Sequence, residues 1–117
     1  MSVSAVAESG SLFDGIDPNA VGEAFETLLA QPGLKVERIV STGQSSPPGF
    51  WYEQGWTEWV LVVAGQAELR FEDEDKPRTL EAGDHLHIAP GRRHRVESTA
   101  QERPTIWLAI HCGDLVS

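Results

Sequence analysis

The residues able to do metal or nucleophile chemistry are few: four histidines (His85, His87, His94 and His111) and one cysteine, Cys112. His85 and His87 form a His-x-His pair, the spacing that sets two imidazoles on one face of a strand. Leu86 and Ile88 fall on the opposite face and are the natural core residues. The pair is therefore expected to face outward, as a polar surface or a subunit contact rather than a ligand pair. His111 and Cys112 are neighbours, and neighbouring strand residues point to opposite faces, so they do not easily clasp one ion or act as base and nucleophile. Cys112 reads as a structural thiol near the chain end. Arg92, Arg93 and Arg95 surround His94. A guanidinium there would steer a carboxylate or phosphate, or the three would form a solvated loop balancing the acidic run at 72–75. There is no Gly-x-Ser-x-Gly, P-loop, dinucleotide fingerprint, Cys-x-x-Cys or basic–aromatic interleaving.

Those side chains sit in a chain of 117 residues, the size of one domain, with 40% hydrophobic residues and an aromatic set that includes four Trp and four Phe. Nine basic against eighteen acidic residues leave a net charge of −9, which repels phosphate backbones and anionic lipid, so neither nucleic acid nor membrane is expected as a partner. No apolar run reaches the roughly 18 residues of a membrane span. The first residues carry no basic stretch ahead of an apolar one, so no signal peptide is expected. A lone cysteine forms no internal disulfide and suits a reducing cytoplasm.

The elements that must position these groups are mostly strands. Residues 1–16 are small and polar and read as a flexible lead-in. Asp17 and Pro18 suit a helix start, Val21, Ala24, Phe25, Leu28 and Leu29 recur on one helical face, and Gln31-Pro32-Gly33 is a stop. The segment 17–33 is therefore expected to carry one short N-terminal helix. From Leu34 the apolar period becomes two. Leu34, Val36 and Val40 share one face and Lys35, Glu37 and Ile39 the other, an aromatic strand is expected at 50–54, and the run from Trp59 to Gly65 reads as a strand buried on both sides. Short strands separated by Gly, Pro or acidic turns then continue to the end, which predicts an all-β sandwich or small barrel over 34–117.

At this point the chain resembles a cupin, a double-stranded β-helix or jelly-roll barrel. Gly83, Gly91 and His94 keep the spacing of the family's second motif. Ala89 takes its Pro position, with Pro90 one place on, and Ser98 replaces its closing Asn. Glu58 and Gly65 match the second half of the first motif. Its two histidine positions hold Tyr52 and Gln54 in one register, or Trp51 and Glu53 in the other; the first register places two polar groups at the site and is preferred. The motif glycines also make sense locally, because Gly65 ends a buried strand and Gly83 precedes a reversal, both places that favour positive φ.

In this family two His, a Glu and a third His converge on one divalent ion, often Fe, Mn, Ni, Zn or Cu. Only Glu58 and His94 survive here. The resemblance thus implies a partial metal site of Gln54, Glu58 and His94, weaker than a three-histidine set, or else a buried Glu58–His94 pair without metal. Glu58 and His94 are expected to point into one cavity with Gln54 or Tyr52 in reach, and Val60, Val62 and Val96 sharing that face. Trp51, Tyr52 and Trp56 would line a pocket at the barrel mouth for a flat or apolar ligand, with Arg93 steering it. Two functions stay open: a small-molecule-binding barrel, or a metal-dependent enzyme such as an oxygenase, isomerase or epimerase. Exposed strand edges predict a homodimer, with the N-terminal segment and the strand at 34–40 as contacts.

Overall fold

Alternation of apolar and polar residues resolves into eight strands in the computed structural model, which describes residues 8–115. They are β1 (Ala24–Gln31), β2 (Leu34–Ser41), β3 (Thr57–Ala64), β4 (Gln66–Phe71), β5 (Arg78–Glu81), β6 (His85–Ile88), β7 (His94–Thr99) and β8 (Thr105–Cys112). Five form one antiparallel sheet in the order β1-β2-β8-β3-β6, and three form a second in the order β5-β4-β7. This is the double-stranded β-helix. No helix of the described residues is long and apolar enough to cross a membrane.

Period-two patterning decides which side chains meet between the sheets. Val60 and Val62 of β3, Ala67, Leu69 and Phe71 of β4, Leu86 and Ile88 of β6, and Trp107 and Ala109 of β8 form one buried cluster with Leu80. Leu86 and Ile88 are inside and His85 and His87 exposed, as the alternation of apolar and polar positions requires. His85 lies against Trp59 on the outer face, ring centroids 5.5 Å apart.

The expected helix at 17–33 does not form. Asp17 does start a turn, accepting the Asn19 amide on its carboxylate at 3.0 Å, but the chain then enters β1. The reason lies at its other end. Pro32-Gly33 is a two-residue loop between the paired residues Gln31 and Leu34, with Gly33 at φ 77°. Proline followed by a positive-φ glycine is a tight turn, which folds this segment back onto β2 as a hairpin. A bulge between Thr27 and Leu29 breaks strict alternation, and that break produced the helical spacing of the apolar residues. Residues 1–7 of the expected lead-in lie outside the described residues; Leu12 and Asp14 carbonyls accept hydrogen bonds from Arg38 at 3.1 and 2.6 Å. The aromatic segment at 50–54 is not a regular strand: only Tyr52 forms a bridge, to His94.

Two motif glycines allow a graded test. Gly65 has φ 91°, and a Cβ on it would stand 2.5 Å from Thr105 Oγ1 and 2.6 Å from Thr105 Cα. Gly83 has φ 94° but open space around its Cβ position. Gly83→Ala should cost about 1–2 kcal/mol from backbone conformation alone, whereas Gly65→Ala adds a clash with backbone and should cost about 3 kcal/mol or more. Thermal unfolding checks the order; equal losses would remove the role given to the Thr105 contact.

Candidate functional site

The site is assembled by a segment that belongs to neither sheet. Between β2 and β3 the chain lies along β7: Ser46 donates its amide to the Val96 carbonyl at 2.9 Å, and Tyr52 and His94 exchange both backbone hydrogen bonds, at 2.7 and 3.0 Å. The Gly91 amide donates to the Gln54 carbonyl at 2.7 Å. These bonds carry Tyr52, Gln54 and Trp56 to the open end of the barrel. The Tyr52 ring stacks on the His94 imidazole, 5.6 Å between centroids. Gln54 Nε2 donates to Glu58 Oε1 at 2.7 Å.

Beneath them lies a floor of four buried ionisable side chains: Glu37 of β2, Glu58 of β3, His94 of β7 and His111 of β8. Their hydrogen bonds fix the imidazole protons. Trp56 Nε1 can only donate, and it donates to His111 Nδ1 at 2.9 Å, so Nδ1 carries a lone pair and the His111 proton sits on Nε2. That Nε2–H donates to Glu37 Oε2 at 2.9 Å. His94 Nδ1 lies 2.9 Å from the Arg92 carbonyl, which can only accept, so Nδ1 holds the proton and Nε2 faces the interior. Opposite it, Glu58 Oε1 lies 3.8 Å away. Glu58 Oε2 has no hydrogen-bond donor among the described residues; His111 Nε2, committed to Glu37, is 4.0 Å from it.

Above the floor is a cavity of about 690 Å³, the size range of small-molecule sites. Its walls are Phe25, Phe50, Trp51, Tyr52, Trp56 and Trp107 with Ile39, Val60, Leu69, Ile88 and Val96, and its carboxylates are Glu23, Glu37, Glu53 and Glu58. No Lys or Arg is among the lining residues described. Burial pushes the Glu37 carboxyl up, but the His111 hydrogen bond and the Lys35 charge, 3.4 Å away, outweigh it and hold the group below its ordinary range. Burial, with the charges of Glu23 and Glu58, raises the Tyr52 phenol, which therefore stays protonated.

Glu58, His94, Gln54, Trp51, Tyr52 and Trp56 thus meet at one cavity, with Val60 and Val96 on the same side. Arg93 does not reach it: its guanidinium pairs with Glu72 at 2.7 Å and Glu53 at 3.7 Å. Glu37 and His111 were not anticipated. Alternation pairs Glu37 with Ile39 on one strand face, and His111 lies two and four residues beyond Ala109 and Trp107. What was missing was which face is inward, because both faces of β8 are apolar. Cys112, one position on, is exposed.

These residues do not suit a tightly held resident metal ion. Among the described residues no three His, Cys, Asp or Glu side chains converge on one point. His111 has its proton toward Glu37 and its lone pair toward Trp56, which leaves one imidazole, one carboxylate and the Gln54 amide, a set poor in the nitrogen donors that hold late first-row ions.

Comparison with known proteins fits this architecture. The family described as cupin domain matches residues 37–111. No curated protein matches the chain. A crystal structure from Ralstonia eutropha JMP134, named "putative mannose-6-phosphate isomerase", is 47% identical over 92% of this chain and 99% of that one, with a TM-score of 0.89. A cupin superfamily protein from Desulfitobacterium hafniense is 15% identical over 97% of this chain and 100% of that one, TM-score 0.75, a likeness of fold. The DMSP lyase DddQ of Ruegeria pomeroyi is 25% identical, TM-score 0.61, over 82% of this chain but 49% of that one.

The Glu37 carboxyl gives a pH test. Its native pKa lies below its ordinary value of 4.5, so the ionised form is favoured in the folded state. Its contribution is complete above the unfolded value and is lost as pH falls through the native one. Glu37→Gln should cost about 1 kcal/mol at pH 7, the difference between a charged and a neutral hydrogen-bond acceptor, and the gap to the unaltered protein should close on acidification below the ordinary carboxylate range. Urea unfolding across pH 3–7 measures it; a gap that widens toward low pH would refute the assignment.

Proposed function

The chain belongs to the cupin domain family, and on that premise we propose that it binds a small organic molecule in its barrel, with at most a weak and partial divalent-metal site at Gln54, Glu58 and His94. The observation that carries this reading is the aromatic-walled cavity of about 690 Å³ above a polar floor on which Glu58 Oε2 and His94 Nε2 have no hydrogen-bond partner among the described residues. Both residues line the cavity, so these two atoms are free to take hydrogen bonds from a molecule that fills it.

The name of the Ralstonia relative points to a phosphosugar isomerase. The cavity does not suit that substrate, because a phosphate group needs cationic side chains or converging N–H groups, and the lining has four glutamates and no Lys or Arg among the described residues. A metal-dependent enzyme is the second reading. It is favoured by the facing of Glu58 and His94 and weakened by the shortage of further donors. The proposal includes a cytoplasmic setting and a homodimer: β1 is an edge strand with Phe25 and Leu29 exposed, and edges invite pairing.

Two measurements test this. Titration with the neutral dye N-phenyl-1-naphthylamine should give saturable binding of one dye per chain, with quenching of tryptophan emission, and Trp56→Ala should weaken it; linear, non-saturating uptake would sink the binding reading. Elemental analysis of protein purified without added metal should find well below one ion per chain, and His94→Ala should remove what is present. A full equivalent surviving dialysis against chelator would put the enzyme reading first.

A further inference from the structure

The Glu58–His94 gap and the charge balance of the cavity together define the ligand's chemistry. Resting on the binding reading above, we propose that the cavity selects an organic cation: a primary or secondary ammonium group on an apolar body, its N–H groups donated to Glu58 and to His94 Nε2.

The floor is short of donors and of positive charge. His94 is 5% exposed and Glu58 8% exposed. His94 Nδ1–H is taken by the Arg92 carbonyl, so in the neutral ring the lone pair is on Nε2, turned toward Glu58 Oε1 across 3.8 Å. Two acceptors at that separation do not bond to each other, yet both can receive N–H bonds of about 2.9 Å from one nitrogen placed between them. Glu58 Oε2 adds a third acceptor without a donor among the described residues. The His111 proton cannot serve it, being held by Glu37 at 2.9 Å.

The rest of the cavity has the same sign. Glu37 has Lys35 at 3.4 Å and Glu53 has Arg93 at 3.7 Å, both pairs with half-exposed cations. Glu58 has no Lys or Arg within salt-bridge distance among the described residues; the Gln54 amide and two histidines approach it. A negative charge in a space walled by low-dielectric side chains is weakly screened, so it discriminates strongly by ligand charge. Tyr52 and Trp56 present π faces and edges beside the floor, and aromatic faces attract cations as well as apolar groups. An anion would meet Glu58 with no Lys or Arg among the described residues to offset it. A neutral alcohol could donate one hydrogen bond but would leave the Glu58 charge uncompensated.

The test ranks three probes of one shape on the unaltered protein by calorimetry at low ionic strength: 2-phenylethylammonium, 2-phenylethanol and 3-phenylpropanoate. The ammonium should bind at least about tenfold more tightly than the alcohol, the scale expected for a partly buried charge pair, and the carboxylate should not bind. Glu58→Gln, which removes the charge at similar size, should abolish the preference for the ammonium over the alcohol. Should that variant fail to fold, the ranking on the unaltered protein decides by itself. Equal binding of ammonium and alcohol would mean that charge does not select the ligand, and would overturn the proposal. So would tighter binding of the carboxylate, or a preference that survives Glu58→Gln. In each of those cases the neutral dye still binds and the cavity remains a binding site. Failure of dye and all three probes alike would overturn both.

Discussion

Strand β8 pairs with β2 on one side and β3 on the other, and the whole site depends on that double register. Glu37 and Val60 both face Ala109, while Glu58 is paired with His111 directly across the β3–β8 ladder. Because side chains alternate with period two, the same register that sinks Trp107 and Ala109 into the core brings His111 inward beside both carboxylates. A slip by one residue would turn His111 to solvent and put Cys112 in its place. Trp107 helps to prevent it: its indole N–H is held by Ser41 Oγ at 3.1 Å, inside the barrel.

Once four ionisable groups are buried together, hydrogen-bond bookkeeping determines most of what the floor can do. Trp56 sets the His111 tautomer, His111 then satisfies Glu37, and the Arg92 carbonyl sets the His94 tautomer. Each step uses a group that can only donate or only accept, which places a proton on Nε2 of His111 and on Nδ1 of His94. What remains unspent is concentrated at Glu58 and His94. The same economy explains why a site with two histidines and two glutamates is a poor metal centre: half of its donors are engaged with each other.

The arginines near His94 belong to the shell rather than to the site. Arg92 lies over the Phe71 ring at 3.5 Å and bonds Asp73 and Glu74, while Arg93 takes Glu72. They tie the acidic β4–β5 hairpin to the turn that presents His94. Guanidinium groups spent this way cannot also steer an anionic ligand, which accords with a cavity whose lining is acidic and aromatic.

Much of this was legible in the sequence. Gly65, Gly83, Gly91, Glu58 and His94 carry the family pattern, and period-two runs predict the barrel, the inward Val60 and Val62, and the outward His85 and His87. These features are local: a turn needs its glycine, and alternation exposes its faces wherever one of them is polar. Local pattern failed where two structures share it. The apolar spacing at 21–29 fits a helix, but the bulged edge strand wins because Pro32-Gly33 closes a hairpin onto β2. Both faces of β8 are apolar, so nothing near His111 states which way it points; only pairing to β2 and β3 does. The tautomers, the acidic lining of the cavity and the open Glu58–His94 gap likewise arise from residues distant in the chain and adjacent in space. The sequence by itself determined the barrel and six of the residues that line its cavity, and tertiary structure decided the charge and donor balance there, because hydrogen bonds and burial act between neighbours in space.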